Sequence, residues 1–289
     1  MNTDDDAEIL SALGHPGRLA VLRLLARRAP HGVRPSEIAE ALGLKPNTLS
    51  VHVTTLTRAG LLSTWREGRS VYYGVNLERI GALVDFLVND CCRGRPELCE
   101  PLAARSLQRV AARQSETPAA WNVLFVCTGN AARSQFAEAI LNGASAGRFR
   151  AFSAGMRPQK NLNPGAVAVL KANGHDTRAL KPKPMADFLK PSAPAMDFVF
   201  TVCDRAANEE CPVLPTIPIT AHWGIPSPGA VMGSETDKAA AFNAAYASLQ
   251  QRIARFAALP IGTLDALTLQ SELDAIGGAA RQRKSGMGA

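Results

Sequence analysis

The N-terminal third of the chain carries short helical patterns of apolar and polar positions. An amphipathic helix is predicted after His15, where leucines and valines recur at helical spacing. Ser36 is predicted to cap a short helix over 37–42, and Asn47 to cap a second helix over 48–59. Two short helices joined by a tight turn form the pattern of a helix-turn-helix unit.

The second of these helices has two distinct faces. Leu49, Val53 and Leu56 recur at the spacing of a buried stripe, whereas the positions around them are mostly short and polar. Short polar side chains on a helix can contact base edges in the major groove of DNA. DNA contacts are therefore predicted from these residues of the helix: Asn47, Thr48, Ser50, Val51 and His52.

A β-hairpin is predicted directly after this helix. The segments 62–66 and 70–75 flank a glycine-containing tip, as in a two-stranded ribbon. Beside a recognition helix such a hairpin is a wing, and Arg66 and Arg69 at its tip are predicted to contact phosphates. The alternative is a helical module that uses the same helices only for protein contacts. The helix predicted next, over 77–88, is too apolar for a lone surface helix and indicates a dimer face.

The pattern changes in the second half of the chain. Short apolar strands are predicted at 122–126 and 197–202, with a helix over 135–142 between them. Strands that alternate with helices predict an α/β domain with a central parallel sheet. The predicted organisation is a winged helix-turn-helix domain, a linker, an α/β domain and a C-terminal helix with a flexible tail, at residues 1–102, 103–120, 121–260 and 261–289.

Composition and charge set the class of protein. The chain has 289 residues, is 46% hydrophobic and carries a net charge of +7. This length predicts about two domains at roughly 100–200 residues each. No run approaches the roughly 18 consecutive apolar residues of a membrane helix, and the acidic start does not resemble a secretory signal. We therefore expect a cytoplasmic protein with no membrane association. The basic excess permits nucleic-acid binding without requiring it.

A reactive loop is predicted between the first strand and helix of the α/β domain. Cys127, Arg133 and Ser134 have the spacing Cys-x5-Arg-Ser. Such a loop directs backbone N–H groups and a helix N-terminus at one tetrahedral oxyanion. The same positive field favours a nucleophilic thiolate at Cys127, and Ser134 is placed to hydrogen-bond it. The guanidinium group of Arg133 is predicted to bind two oxygens of the anion at once. The predicted oxyanion-binding residues are Thr128, Gly129, Asn130, Ala131, Ala132 and Arg133.

The remaining five cysteines divide into two groups, which in a reducing compartment favour ligand or catalytic roles over disulfides. Cys91, Cys92 and Cys99 lie close together, and Gly94 and Pro96 break the helix so that the third can fold back towards the pair. Three thiolates that meet at one point suit a soft, thiophilic ion that prefers three ligands. The alternative is a vestigial or redox-sensitive trio. Cys203 and Cys211 follow the strand at 197–202.

Residues 1–100 resemble the ArsR/SmtB family of winged-helix repressors through HPGRLAVLRLL, SEIAEALGL, NTLSVHVTTLTRAGLL and REGRSVYYGV. The resemblance implies a homodimer formed through this domain, an operator DNA with two half-sites, and release of the DNA when a metal or metalloid binds. A cysteine pair followed by a third cysteine after the last helix is similar to arsenite- or antimonite-sensing members. The implied inducer site for arsenite is Cys91, Cys92 and Cys99.

Residues 121–259 resemble the low-molecular-weight protein tyrosine phosphatase fold, a scaffold shared by phosphotyrosine hydrolysis and arsenate reduction. Cys203 and Cys211 favour reduction, because arsenate must receive two electrons from thiols whereas hydrolysis needs none; the alternative is that both are packing residues. The segment is also similar to the thioredoxin-coupled arsenate reductases, through Ser153-Ala154-Gly155, Asn163-Pro164 and Ala221-His222-Trp223-Gly224.

The resemblance to those reductases implies a relay of three thiols. Cys127 attacks arsenate, and Cys203 then attacks the adduct, so that arsenite leaves and a Cys127–Cys203 disulfide forms. Cys211 attacks Cys203, and the final Cys203–Cys211 disulfide is reduced by thioredoxin or a small thiol. The bridging residues must approach within about 7 Å, so the segment 203–211 is expected to move. No permanently bound cofactor is implied.

The sequence departs from the reductase pattern at three points. Seven residues separate Cys203 from Cys211, where some members have six. Ser227 stands before Pro228, where the family has an acidic residue; losing such a general acid typically costs about 10²–10⁴-fold in rate, and Asp204 is a candidate substitute. Potassium ligands of some reductases have counterparts in Asn130, Glu138 and Ser153, but their aspartate partner has none near 181–183, so no potassium site is predicted.

Together these features predict an arsenite-responsive transcriptional repressor fused to an arsenate reductase. Its predicted partners are operator DNA, arsenate, arsenite, a thioredoxin-like reductant and a second copy of the chain. Two alternatives stay open: a repressor whose second domain senses an oxyanion without turning it over, and a tyrosine phosphatase with a DNA-binding domain.

Overall fold

The chain forms two compact units, Met1–Ser115 and Glu116–Ala289. The computed structural model describes residues 3–91, 120–209, 214 and 218–278. The boundary between the units falls inside the segment predicted as the linker, of which residues 103–119 lie outside the described part of the chain.

The N-terminal unit is helical with one β-hairpin. Its elements are α1 (Thr3–Leu13), α2 (Pro16–Arg28), α3 (Pro35–Leu42), α4 (Pro46–Arg58), β1 (Leu62–Glu67), β2 (Ser70–Val75) and α5 (Leu77–Asp85), which continues as a π-helix over Phe86–Cys91. β1 and β2 pair antiparallel from Leu62↔Val75 to Glu67↔Ser70. The winged helix-turn-helix fold predicted from the sequence is confirmed.

The two helices of the helix-turn-helix begin earlier than predicted. Pro35 and Pro46 occupy their first positions, and the residues before them, Arg34 and Lys45, are N-caps that make no side-chain capping bond. Proline favours this position because its fixed φ suits the helix and the N–H it lacks would have no partner there. Ser36 and Asn47 therefore lie in the first turn, and their predicted capping role was wrong. Gly43 does end α3, in the left-handed conformation with φ 62°.

The C-terminal unit is an α/β fold around a parallel sheet. Its elements are β3 (Trp121–Cys127), α6 (Arg133–Ala144), β4 (Phe149–Gly155), α7 (Pro164–Ala172), β5 (Phe198–Thr201), α8 (Asp204–Asn208), β6 (Ile219–His222), α9 (Glu235–Ala257) and α10 (Ala266–Gly277), with 3-10 turns at Met185–Leu189 and Pro228–Ala230. The strand order is β4-β3-β5-β6, and each neighbouring pair is parallel. The predicted α/β domain with a parallel sheet is confirmed.

The order of the strands places the candidate site. The chain leaves β3 for β4 on one side and returns to β5 on the other, so β3 and β5 flank the point where the winding direction reverses. In open α/β sheets ligands bind at the carboxyl ends of such strands. Cys127 ends β3, and Cys203 lies two residues beyond β5.

The core of the second unit extends past the predicted domain end at residue 260. Leu269, Leu273 and Ile276 of α10 are buried in the same cluster as the sheet. The indole of Trp223 donates a hydrogen bond to the carbonyl of Leu273 at 3.0 Å and stacks on Phe200 at 4.1 Å between ring centroids. α10 is therefore part of this domain, and the residues beyond Gly278 lie outside the described chain.

Candidate functional site

The loop after β3 presents a ring of backbone groups. Its carbonyl oxygens are engaged from outside by backbone N–H groups of the segment after β4: Thr128 accepts from Arg157 at 2.8 Å, Gly129 from Gln159 at 2.8 Å and Ala131 from Asn163 at 2.9 Å. A peptide unit whose carbonyl is held on the outside directs its N–H to the opposite side. The loop can therefore offer N–H groups to a bound anion, as its sequence predicts.

Cys127 lies buried at the base of this loop. Its sulfur is 3.0 Å from Ser134 Oγ and accepts a hydrogen bond from the backbone N–H of Asn130 at 3.2 Å. Ser134 occupies the first turn of α6, so the N-terminal end of that helix adjoins the sulfur. The structure thus brings together the predicted nucleophile and the hydroxyl that the sequence predicts as its partner.

Asn130 holds the shape of the loop. It is buried, and its backbone has a φ of 47°. This left-handed conformation is uncommon for residues other than glycine, although asparagine tolerates it. Gly155 at the end of β4 makes room for the turn, because a Cβ there would lie 3.0 Å from both Asn130 Cβ and the carbonyl oxygen of Thr128.

Arg133 connects the loop to a second segment of the site. It begins α6, and its Nη1 donates to the carbonyl of Ile225 at 3.1 Å. Ile225 lies two residues before Ser227, so the segment predicted to carry the general acid adjoins the loop. That segment is braced from α9 by Arg252, which donates to the carbonyls of Trp223 at 2.6 Å and Gly224 at 3.2 Å. Burial lowers the pKa of Arg252.

Cys203 is a second buried thiol at the same end of the sheet. It is 1% exposed, and its sulfur lies 3.5 Å from Thr128 Oγ1, a neighbour of Cys127 in the loop. Its sulfur also accepts from the backbone N–H of Ala206 at 3.4 Å, which makes Cys203 the cap of the short helix α8. Both thiols are free. The third predicted relay residue, Cys211, lies outside the described residues.

The position of the expected general acid carries no acidic group. Ser227 is exposed and precedes the 3-10 turn at Pro228–Ala230. Asp204, the candidate substitute, has Oδ1 2.7 Å from His222 Nε2, and His222 Nδ1 lies 2.8 Å from Thr201 Oγ1. His222 thus links Thr201 and Asp204, which lie two residues before and one residue after Cys203 in the sequence, and only the carboxylate was predicted from the sequence.

Lys183 lies among the residues that were compared above with the potassium ligands of some reductases. Lys183 Nζ donates to both oxygens of Glu138, at 2.8 and 3.0 Å. Glu138 also accepts from the hydroxyl of Ser153, which in turn accepts from the amide of Asn130 at 2.8 Å. These residues do not fit a potassium ion, because an ammonium group already neutralises the carboxylate. The sequence analysis missed Lys183, although it lay within the segment searched for an aspartate.

The candidate DNA-binding face is formed by α4 and the hairpin. Asn47, Thr48, Ser50 and Val51 are exposed on α4, as are Arg66 and Arg69 on the hairpin. These residues are therefore free to meet a partner surface, although each DNA contact stays a prediction.

His52 was wrongly placed on this face. Its side chain lies within the buried face of α4 with Leu49, Val53 and Leu56, and the residue is 7% exposed. Its ring centroid is 4.9 Å from that of His15. Burial lowers the pKa of His52, and the charges of His15 and Arg18 lower it further. The helical spacing 49, 52, 53, 56 predicts this burial, so the signal was present in the sequence.

The helix predicted as a dimer face exposes apolar residues. Leu77, Val84 and Leu87 are exposed, whereas Leu83 is buried in the core of its own unit. Cys91, the first cysteine of the predicted arsenite site, is exposed at the end of the π-helix. Its two partners, Cys92 and Cys99, lie outside the described residues. No helix in the described ranges has the length and apolar character to cross a bilayer.

Comparisons with known proteins match each unit separately. The model of the family described as low molecular weight phosphotyrosine protein phosphatase matches residues 122–266, and a helix-turn-helix domain model matches residues 13–64. The arsenate reductase of Bacillus licheniformis is 33% identical over 136 residues, which are 47% of this chain and 94% of that protein. An uncharacterized HTH-type transcriptional regulator of Bacillus subtilis is 37% identical over 92 residues, 28% of this chain and 92% of that protein.

A solved structure is also similar to part of this chain. The crystal structure of an arsenate reductase from Archaeoglobus fulgidus has 27% sequence identity and a TM-score of 0.38, and the match covers 47% of this chain and 99% of that one. The family matches and the two curated relatives therefore account for both units of the chain.

Proposed function

Because the chain belongs to the low molecular weight phosphotyrosine protein phosphatase family through its second unit and carries a helix-turn-helix regulator domain before it, we propose that it is an arsenite-responsive repressor fused to an arsenate reductase. The relatives named as arsenate reductases support this choice of chemistry within the family.

The observation that carries the reductase proposal is the second buried thiol. Cys203 lies beside the loop at 3.5 Å from Thr128 Oγ1, and the strands that lead to Cys127 and Cys203 are direct neighbours. Adjacent strands lie about 4.8 Å apart, which is compatible with the roughly 7 Å limit between the Cα atoms of a disulfide. A hydrolytic phosphatase needs no thiol at this position, whereas a reductase needs one to supply electrons.

The proposed reaction balances with three thiols. The Cys127 thiolate attacks arsenic and displaces one oxygen of arsenate, which leaves as water after protonation. The Cys203 thiolate then attacks the Cys127 sulfur; a disulfide forms, and the electron pair of the sulfur–arsenic bond stays on arsenic, which leaves as arsenite. Cys211 next attacks Cys203 and frees Cys127. A thioredoxin-like protein or a small thiol returns the Cys203–Cys211 disulfide to two thiols.

The repressor proposal rests on the exposed surfaces of the first unit. α4 would enter the major groove, the wing arginines would contact phosphates, and the apolar residues of α5 would pair two copies. Arsenite bound by Cys91, Cys92 and Cys99 would alter the end of the same helix. A ligand shifts such an equilibrium only by its different affinity for the DNA-bound and free forms. The product of the second domain would thus be the inducer of the first.

A coupled turnover assay tests the reductase proposal. The full chain is supplied with arsenate, thioredoxin, thioredoxin reductase and NADPH, and NADPH oxidation and arsenite are measured together. We expect one arsenite for each NADPH and many turnovers for each chain. Arsenate binding without arsenite formation would instead support an oxyanion sensor, and rapid hydrolysis of p-nitrophenyl phosphate without arsenite would support a phosphatase.

The sensor alternative is favoured by one observation, the exposed Ser227 at the position of the expected acid. We predict that Ser227→Asp raises kcat for arsenate roughly tenfold or more, because it restores a proton donor for the leaving oxygen. Ser227→Asn is the matched control, since it has nearly the same shape and no acidic proton. Equal rates for the two variants, measured in the coupled assay, would show that the proton comes from another group.

Induction of DNA release provides a separate prediction for the joined domains. A labelled duplex selected by the wild-type protein from a random library is titrated with the protein, with arsenite, arsenate or neither. Arsenite should weaken DNA binding at once, whereas arsenate should do so only when the reductant is present. Equal effects of arsenate with and without reductant would contradict the proposed order of events.

A further inference from the structure

We infer that Lys183 is a positioning residue that fixes the oxyanion loop, and that its ammonium group serves there as a built-in cation. This inference deepens the proposed active site and rests on the loop being that site. It assigns a role to a side chain that lies outside the loop and outside the thiol relay.

Lys183 contacts the loop network through both its backbone and its side chain. Its carbonyl accepts from the backbone N–H of Gly155 at 2.8 Å, which ties it to the end of β4. Its own N–H donates to Asn130 Oδ1 at 2.7 Å, and its ammonium group forms the ion pair with Glu138. A single residue therefore holds the left-handed loop residue and the carboxylate behind it.

The hydrogen bonds of Asn130 fix which groups donate. Its Oδ1 accepts from the N–H of Lys183 and from Gln135 Nε2 at 3.1 Å, so its Nδ2 must be the amide donor. Nδ2 donates to Ser134 Oγ and to Ser153 Oγ, each at 2.8 Å. Asn130, Ser134, Gln135 and Ser153 are all buried, so water does not offer an easy substitute.

The directions of these hydrogen bonds determine which group donates to Cys127. Since Ser153 accepts from Asn130, its hydroxyl proton is free to go to Glu138. Ser134 likewise accepts from Asn130, so its proton is directed to the Cys127 sulfur at 3.0 Å. A hydroxyl that donates to sulfur stabilises the thiolate, which is the nucleophilic form. In this arrangement Glu138 is the acceptor at the far end of the network.

Lys183 supplies the positive charge that pairs with Glu138. The side chains of Glu138 and Lys183 are only 13% and 21% exposed. A largely buried carboxylate without a partner is destabilising, because its desolvation is otherwise uncompensated, and it favours binding of another cation. Loss of the ion pair would therefore leave Glu138 less well fixed, and with it the Ser153 hydroxyl that accepts from Asn130, so the loop residue would lose part of its support.

The test uses the reactivity of Cys127 in the full-length protein. The rate of its alkylation by iodoacetamide near neutral pH is followed by peptide mass spectrometry, with and without protection by inorganic phosphate. We expect Lys183→Met to slow this rate roughly tenfold, because less thiolate is present, and to weaken phosphate protection. Lys183→Arg should stay within about twofold of the wild type, because a guanidinium group also pairs with a carboxylate. Lys171→Met, at an exposed lysine of α7, is the matched control.

Two further measurements separate positioning from a general loss of structure. Potassium or methylammonium chloride, compared with a bulky quaternary ammonium salt at equal ionic strength, should restore the rate in Lys183→Met and leave the wild type unchanged. The double variant Lys183→Met/Glu138→Gln should also regain most of the rate, because an amide oxygen still accepts from Ser153 and no charge is left unpaired. Both readouts report on the loop even if the protein reduces no arsenate.

The inference is overturned if Lys183→Met alkylates at the wild-type rate. It is equally overturned if neither small cations nor the second substitution restores the rate lost by Lys183→Met, since the defect would then not concern the charge at Glu138. Should Lys183→Met fail to fold, the double variant and Lys183→Arg still decide the matter: slow alkylation in both would remove Lys183 from its assigned role.

Discussion

Cys127→Ser is expected to abolish arsenite production from arsenate. A serine at this position retains the shape of the loop but offers no thiolate to form the bond to arsenic, and no sulfur for Cys203 to attack. The coupled rate should fall by at least about 10³-fold, to the background of the assay. The fold should be preserved, because the buried contacts of this residue with Ser134 and the N–H of Asn130 can also be made by a hydroxyl.

Release of DNA by arsenite serves as a positive control for the same variant. Arsenite should still release it from DNA, since the proposed inducer thiols lie in the other unit, whereas arsenate with reductant should no longer do so. Thermal unfolding with and without phosphate shows whether the loop still binds an anion. Turnover in Cys127→Ser at more than a few per cent of the wild-type rate would show that another thiol is the nucleophile.

The oxyanion loop could be predicted because the residues that define it are close together in the sequence. Cys127, Arg133 and Ser134 fall within one strand–loop–helix turn, and their spacing alone places sulfur and hydroxyl together. The parallel sheet was predictable for a similar reason, since alternating strands and helices leave few other arrangements. The observed strands Trp121–Cys127 and Phe198–Thr201 differ from the predicted ranges only at their ends.

The groups that support the loop could not be predicted from local spacing. Lys183 is separated from Asn130 by 53 positions and from Glu138 by 45, and neither distance follows a helical or strand period. They are brought together by tertiary contacts, among them the pairing of Pro184 with Gly155 at the end of β4. A search for an aspartate in this segment could not reveal a lysine that neutralises the same carboxylate.

The errors in the first unit have a different origin. The start of α4 was set by a preference for asparagine as a cap, although Pro46 before it is the stronger signal for the first helical position. His52 was assigned to the DNA face because it is polar, although its place in the spacing marks the buried face. In both cases the position of the residue, and not its type, determines the structure.

The reversal of winding in the sheet explains why one site can perform both steps of the proposed reaction. β3 ends at the thiol that would attack arsenate, and β5 leads to the thiol that would release arsenite. In open α/β sheets, ligands bind beyond the carboxyl ends of such neighbouring strands. Because β3 and β5 are direct neighbours, the first proposed disulfide needs little backbone movement, whereas the second must involve the segment after α8.

Cys203→Ser is expected to stop the reaction after the first bond. The Cys127–arsenic adduct would form, but no thiol would be positioned to displace arsenic, so that less than one arsenite would be released for each chain. The coupled rate should fall by about 10³-fold or more, and mass spectrometry under mild conditions should show the mass added at Cys127. Cys211→Ser is the matched comparison, since it should release one arsenite for each chain and retain a Cys127–Cys203 disulfide. If Cys203→Ser instead turned over with thioredoxin at the wild-type rate, the 3.5 Å contact between Cys203 and Thr128 would be packing alone, and an external thiol would resolve the adduct.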